Sequence, residues 1–218
     1  MALPDRFQYE RERIAKGDQR IAGVDEAGRG PLAGPVVVAA VMFPLAWINQ
    51  GIGEALVALN DSKALSAKRR ESFFECLTVD PELLSMVVSV EPKEIDRVNI
   101  LQATHQGMQQ SIEGLGKQGA EIDHVLVDGL PVAAIKTAQT ALVKGDSKSY
   151  SIAAASILAK VTRDRVMVAY DKQYPGYGFA QHKGYPTKAH LEALRRLGPC
   201  PIHRQSFAPV RQQQLDLL

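Results

Sequence analysis

Cysteine is scarce in this 218-residue chain. There are only two, Cys76 and Cys200. They cannot make a disulfide framework, and no Cys-x-x-Cys spacing points to zinc. The pattern suits a reducing compartment. Long apolar runs are missing too. The longest, residues 35–48, is interrupted by Pro44 and falls short of the roughly 20 residues a bilayer-crossing helix needs. The first 20 residues, MALPDRFQYERERIAKGDQR, are polar and charged and hold no apolar signal core. These absences lead to the expectation of a cytoplasmic protein with no membrane partner. No Gly-Lys-Ser or Gly-Lys-Thr occurs, so a Walker A phosphate loop is excluded. Internal repeats and low-complexity linkers are absent as well.

What is present is an ordinary globular composition, 45% hydrophobic with a net charge of +2. The charge is unevenly spread. Residues 144–211 carry 12 Lys and Arg against 4 Asp and Glu, which leaves about −6 for the remainder. A basic C-terminal third is what a polyanion-binding face looks like in sequence.

Apolar β-branched runs predict strands at residues 21–24, 35–43, 83–90, 125–127 and 140–143. Helical spacing predicts helices at 69–77, with Ser66 at its start, at 92–115 ending on Gly114 and Gly116, and at 187–197 with Thr187 as cap and Gly198-Pro199 as stop. Residues 151–170 are alanine-rich and read as one long helix. Strands come first, then strands alternate with helices, then helices only. That order predicts an α/β fold with an antiparallel portion and a helical C-terminal appendage.

The segment GVDEAGRGPLAGPVVVAA, residues 23–40, carries a glycine loop that superficially resembles a dinucleotide fingerprint. A strand follows it where the fingerprint requires a helix, and Asp25 and Glu26 would repel phosphate. Acids recur in the same setting, at the end of an apolar run or beside a glycine: Asp25 and Glu26 after IAGV, Asp128 after HVLV, Asp146 after ALVKG. Carboxylates gathered at one sheet edge repel one another. A divalent cation removes that cost, and oxygen-only ligands favour Mg²⁺ or Mn²⁺. Two such ions about 4 Å apart form the clamp used in phosphoryl transfer. Ordinary turn capping is the competing reading for each acid singly. Asp164, between Arg163 and Arg165, fits local ion pairing better than a site role.

These residues resemble the ribonuclease HII family. GVDEAGRGPLAGPVVVAA looks like its signature, and the similarity continues through DSKALSAKRR (61–70), VDG (127–129), KGDSKSYSIAAASILAKVTRDR (144–165), HKGYPTKAH (182–190) and HRQSFAPV (203–210). The resemblance implies a ribonuclease H-like mixed sheet, antiparallel in its first strands and then parallel, flanked by helices, with a small helical C-terminal region. It implies hydrolysis of the RNA strand of RNA–DNA hybrids and incision 5′ to single ribonucleotides in duplex DNA. The implied metal-binding and catalytic residues are Asp25, Glu26, Asp128 and Asp146, holding Mg²⁺ or Mn²⁺. Gly28, Arg29 and Gly30 are the implied readers of the ribose 2′-hydroxyl, the group that separates RNA from DNA. Tyr185 is implied to pack on the neighbouring sugar. Lys63, Lys148, Lys183 and Arg204 are expected phosphate contacts. His182 and His203 receive no catalytic role. Where many members of the family carry asparagine, this chain has Leu130. The expected layout is a polar extension (1–19), a catalytic domain (20–175), a substrate-binding helical region (176–210) and a flexible tail (211–218), in a monomer. The final residues, Gln214, Leu215, Asp216, Leu217 and Leu218, resemble a peptide that docks on the replication sliding clamp. The rival readings are a junction-resolvase type of metal nuclease and a non-catalytic hybrid-binding module.

Overall fold

The computed structural model describes residues 6–63, 65–119 and 121–215, with residues 214 and 215 as backbone only. Among them, five strands form one sheet in the order β3-β2-β1-β4-β5: β1 (Ile21–Ala27), β2 (Val36–Met42), β3 (Leu84–Val90), β4 (His124–Asp128) and β5 (Ala138–Leu142). β2 runs antiparallel to both β1 and β3, while β4 runs parallel to both β1 and β5. The expected mixed sheet is therefore present.

β2 is apolar along its whole length because both faces of the sheet are covered. One face of the strand, Val37, Ala39 and Val41, packs against α6 (Tyr150–Gln173) through Ala153, Ala154, Ile157 and Leu158. The other face, with Val38 and Ala40, meets Met108, Ile112 and Leu115 of α5 (Ile100–Lys117). The alanine-rich start of α6 lets it lie close on the sheet. At Gly23 a Cβ would stand 2.3 Å from the Ser151 carbonyl carbon, so β1 and α6 touch backbone to backbone there. α3 (Ala67–Val79) packs beside α6, and its Ser66 side chain accepts from the Arg69 N–H as an N-cap.

The single helix expected over 92–115 is two. α4 (Pro92–Val98) ends at Asn99, whose φ of 70° breaks the ladder and whose side chain then caps α5. Nor do Gly114 and Gly116 stop the helix. Both lie inside α5, and a Cβ at Gly114 would come within 2.6 Å of Met86, so this glycine serves close helix–sheet approach.

Within the polar first 19 residues, α1 (Gln8–Ile14) is docked on the core by Phe7, which is 1% exposed. α2 (Leu45–Gln50) follows β2, and α7 (Phe179–His182), α8 (Lys188–Leu197) and α9 (Ala208–Leu215) make up the C-terminal region. α8 carries the expected Thr187 cap. The boundary drawn at residue 211 falls inside α9, and Asp216, Leu217 and Leu218 lie outside the described residues. Through Leu194 and Val210 this region packs on Leu32, and a bridge pairs Ala33 with His203. It is thereby fastened to the segment that follows β1. No described helix is long and apolar enough to cross a membrane.

Candidate active site

The parallel pairing of β1 with β4 builds the centre. Its register ends at Val24 opposite Val127, so one step further Asp25 and Asp128 stand side by side at the strand ends. Asp25 lies on the α6 face of β1 and is 5% exposed. One of its oxygens accepts from the Glu26 N–H at 2.6 Å. Asp146 enters from a 3-10 turn, Gly145–Ser147, reached through Lys144 in a left-handed conformation. The Gly145 N–H donates to Asp128 Oδ1 at 2.6 Å, tying this turn to β4. A Cβ at Gly145 would sit 2.6 Å from Ile152, which is why the turn can tuck beneath α6.

The carboxylates feel one another. Burial pushes the Asp25 carboxyl well above the usual range, and the charges of Glu26 and Asp128 push it further. Glu26 is raised by burial, with Asp128 adding and Arg29 opposing. Asp146 is raised to about 6 by burial first, then by Asp61 and Asp128. Asp61, which hydrogen-bonds Asp146, is a fifth acid that sequence reasoning missed. Its position in a DSK turn looks like plain capping, and it does cap: Oδ1 accepts from the Lys63 N–H at 2.8 Å. Among the described residues no group of three or more His, Cys, Asp or Glu side chains is already closed into a metal cage. The donor set nevertheless fits a hard divalent cation. It consists of oxygen atoms only, crowded enough to hold protons, and a cation relieves that crowding.

Asp25 and Glu26 also border a cleft of about 250 Å³, together with Gly28, Arg29, Gly30, Lys63 and Tyr185. Five of the eight expected substrate residues thus share one cavity with two of the acids. Ser156, Lys160 and Arg163 complete the lining on the α6 side. Asp128 and Asp146 are not part of that lining. Gly28 has a φ of 97°, and a Cβ there would meet Arg163 Nε at 2.0 Å; Gly30 has no such strain, and its Cβ would meet only Tyr185 Cε1, at 3.7 Å. Only Gly30 therefore leaves open room. Tyr185 is 40% exposed, with the Arg163 guanidinium 5.9 Å from its ring centroid.

The remaining expected contacts divide. Lys148 is exposed. Lys183 takes a left-handed φ of 52°, and its ammonium donates to the Ala180 carbonyl, so it is turned towards α7. Arg204 is corrected. It is fully buried, and its guanidinium donates to the carbonyls of Gly34, Arg29 and Gly28. With Nε, Nη1 and Nη2 all spent on backbone, it has no face for a phosphate. Arg163 was missed altogether. It is 1% exposed and donates to Pro35, Lys183 and Ala33 carbonyls. Asp164 makes the expected local ion pair, with Lys160 as partner at 2.7 Å. His182, His190 and His203 pack together, His190 Nε2 lying 3.1 Å from His203 Nε2. Leu130 is 76% exposed.

A mixed five-stranded sheet with carboxylates at the ends of its parallel strands defines a ribonuclease H-like class of α/β enzyme. Within it, the chain belongs to the ribonuclease HII family, which it matches over residues 22–210, a family of hydrolytic, metal-dependent endoribonucleases. Ribonuclease HII of Listeria monocytogenes serotype 4b is 48% identical over 214 residues, covering 98% of this chain and 77% of that protein. The Geobacter sulfurreducens ribonuclease HII is 47% identical over 209 residues, 96% and 91% of the two chains. Among solved structures, ribonuclease H2 from Pyrococcus horikoshii superposes with a TM-score of 0.73 at 29% identity, over 90% of this chain and 98% of that one. The ribonuclease HII of a PCNA:RNase HII complex from Archaeoglobus fulgidus gives 0.69 at 27%, over 87% and 95%.

Proposed function

We propose that this enzyme cleaves the RNA strand of RNA–DNA hybrids and incises duplex DNA 5′ to a single ribonucleotide, removing ribonucleotides in replication and repair. The observation that carries the reading is the adjacency just described: β1 delivers Asp25 and Glu26 to a strand end beside Asp128 and then turns at once into the Gly28–Arg29–Gly30 loop of the same cleft. Recognition and hydrolysis are thereby set within a few residues of each other.

Asp25, Glu26, Asp128 and Asp146 are the residues to hold Mg²⁺ or Mn²⁺. A bound pair of ions supplies water activation and neutralises the leaving oxygen. The chain's own residues do the rest. The Gly145 N–H fixes the Asp128 carboxylate, and the Glu26 N–H fixes that of Asp25. Gly30 leaves space for a ribose hydroxyl in the minor groove. Tyr185 offers a flat face to the adjoining sugar, and Lys63 and Lys148 offer cations to phosphates. Residues 20–175 carry the chemistry in this reading, and 176–210 hold substrate.

The test is a nicking assay on a duplex containing one ribonucleotide, with an all-DNA branched junction as the alternative substrate. Metal-dependent incision 5′ to the ribonucleotide, lost at least about 100-fold in Asp128→Asn, is the expected result. Full activity of that variant would sink the assignment. Cleavage of the junction alone points to a resolvase, and binding without cleavage to a passive module. The Archaeoglobus complex also supports a second proposal, that residues 214–218 dock on a sliding clamp. Clamp affinity unchanged by their deletion defeats it.

A further inference from the structure

Two arginines are buried against the 28–35 segment, and among the described residues neither forms an ion pair with a carboxylate. Arg204 donates through Nη2 to the Gly28 carbonyl at 2.6 Å, through Nη1 to Arg29 at 2.9 Å and through Nε to Gly34 at 3.0 Å. Arg163 grips the Ala33 and Pro35 carbonyls from α6. Burying two unpaired guanidinium groups is costly, and burial pulls Arg204 down to about 9 and Arg163 to about 10. Ordinary packing at these positions could be met by apolar side chains. What only a planar fork of donors can do is hold several carbonyls in one orientation.

That orientation has a consequence. The peptide units are trans and planar, so each N–H points opposite to its C=O. With the Gly28 and Arg29 carbonyls drawn inward to Arg204, the N–H groups of Arg29 and Gly30 face the other way, towards the cleft that these residues line. No described residue accepts from either N–H. We infer that Arg204, a positioning residue, sets ribonucleotide selectivity by aiming the Arg29 and Gly30 N–H donors at the sugar hydroxyl of the substrate. The inference rests on the proposed ribonucleotide cleavage. It assigns that cleavage's selectivity to a side chain that never touches nucleic acid. Arg163 holds the other end of the same segment to α6.

The test uses full-length R204K, which keeps the charge but presents a single ammonium where the fork reached three carbonyls. The variant is expected to melt cooperatively and to lose between about tenfold and a hundredfold in kcat/KM on a single-ribonucleotide duplex, with the loss in kcat. Its loss of affinity for an all-DNA duplex is expected to be at least about tenfold smaller. Equal losses, or none, overturn the inference. Wild type that fails to incise the ribonucleotide duplex defeats the function reading instead. A measurement on wild type covers the case in which R204K does not fold. In Ca²⁺, a single-ribonucleotide duplex should shift the Arg29 and Gly30 amide resonances where an all-DNA duplex does not, while the Arg204 Nε–H stays slow to exchange. Unresponsive amides, or an Nε–H that exchanges freely in the complex, also overturn it.

Discussion

At the residue scale the GRG element separates into two different glycines. Gly28 is required by the backbone: its φ is positive and Arg163 occupies the space of a Cβ. Gly28→Ala should cost about 3 kcal/mol of stability, from the left-handed conformation and the clash together, read from urea unfolding. Gly30 is required only by its surroundings. Gly30→Val should fold as the wild type does, yet lose about tenfold or more in incision of a ribonucleotide duplex while its all-DNA affinity changes little. A Gly30→Val variant with unchanged selectivity would remove the ribose from that gap. Asp25, Glu26, Asp128 and Asp146 were legible in sequence because each closes an apolar run or stands beside a glycine. Arg204 and Arg163 were not, because a one-letter string does not reveal whether a cation points at solvent or at carbonyls.

Among the elements, α1 shows what a polar stretch can conceal. Its helical face holds one fully buried acid, Glu10, whose Oε1 accepts from Ser149 Oγ at 2.6 Å and the Ser151 N–H at 3.2 Å. Those donors belong to the first turn of α6, just past the turn that carries Asp146. Glu10→Ala should lower the unfolding free energy by about 2 kcal/mol, since it leaves buried donors without a partner, and Glu10→Gln by less than half of that. Calorimetry on the pair decides it; equal losses would mean that the carboxyl's acceptor role is irrelevant. Sequence periodicity located the five described strands and the long α6, most clearly at β1, β2 and β4, where burial on both faces needs continuous apolar runs. It did not locate the break between α4 and α5, which depends on one asparagine entering a left-handed conformation. It also misread Gly114, whose neighbour Met86 is distant in the chain. α1 was lost because its contribution to the core comes from Phe7 and a neutralisable acid.

For the molecule as a whole, acid lability should come from the C-terminal region. Burial first, then His190, lowers His203 to about 4. Between that value and 6.5 the unfolded chain binds a proton that the native state refuses, so stability falls as pH drops through this window. At pH 5 the loss amounts to about 2 kcal/mol. Asp146, raised to about 6, has the opposite sign in cation-free protein. Its native form takes up a proton first, and stability rises as pH falls through 6. Comparing the pH slopes of wild type and His203→Gln cancels the carboxylate contribution. The variant should lack close to one proton of acid sensitivity between pH 6.5 and 4.5, and an unchanged slope would show that another group is responsible.

The distribution of the site along the chain also sets when it can exist during synthesis. A nascent chain emerging only as far as residue 120 carries Asp25 and Glu26 on an unfinished sheet, with neither β4 nor Asp128 to stand beside them. Asp146 and the helix covering β1 follow later, and the Gly28 and Arg29 carbonyls find their brace only when Arg204 has left the ribosome. The brace is therefore the last of these parts to be made, 175 and 176 residues after the carbonyls it holds.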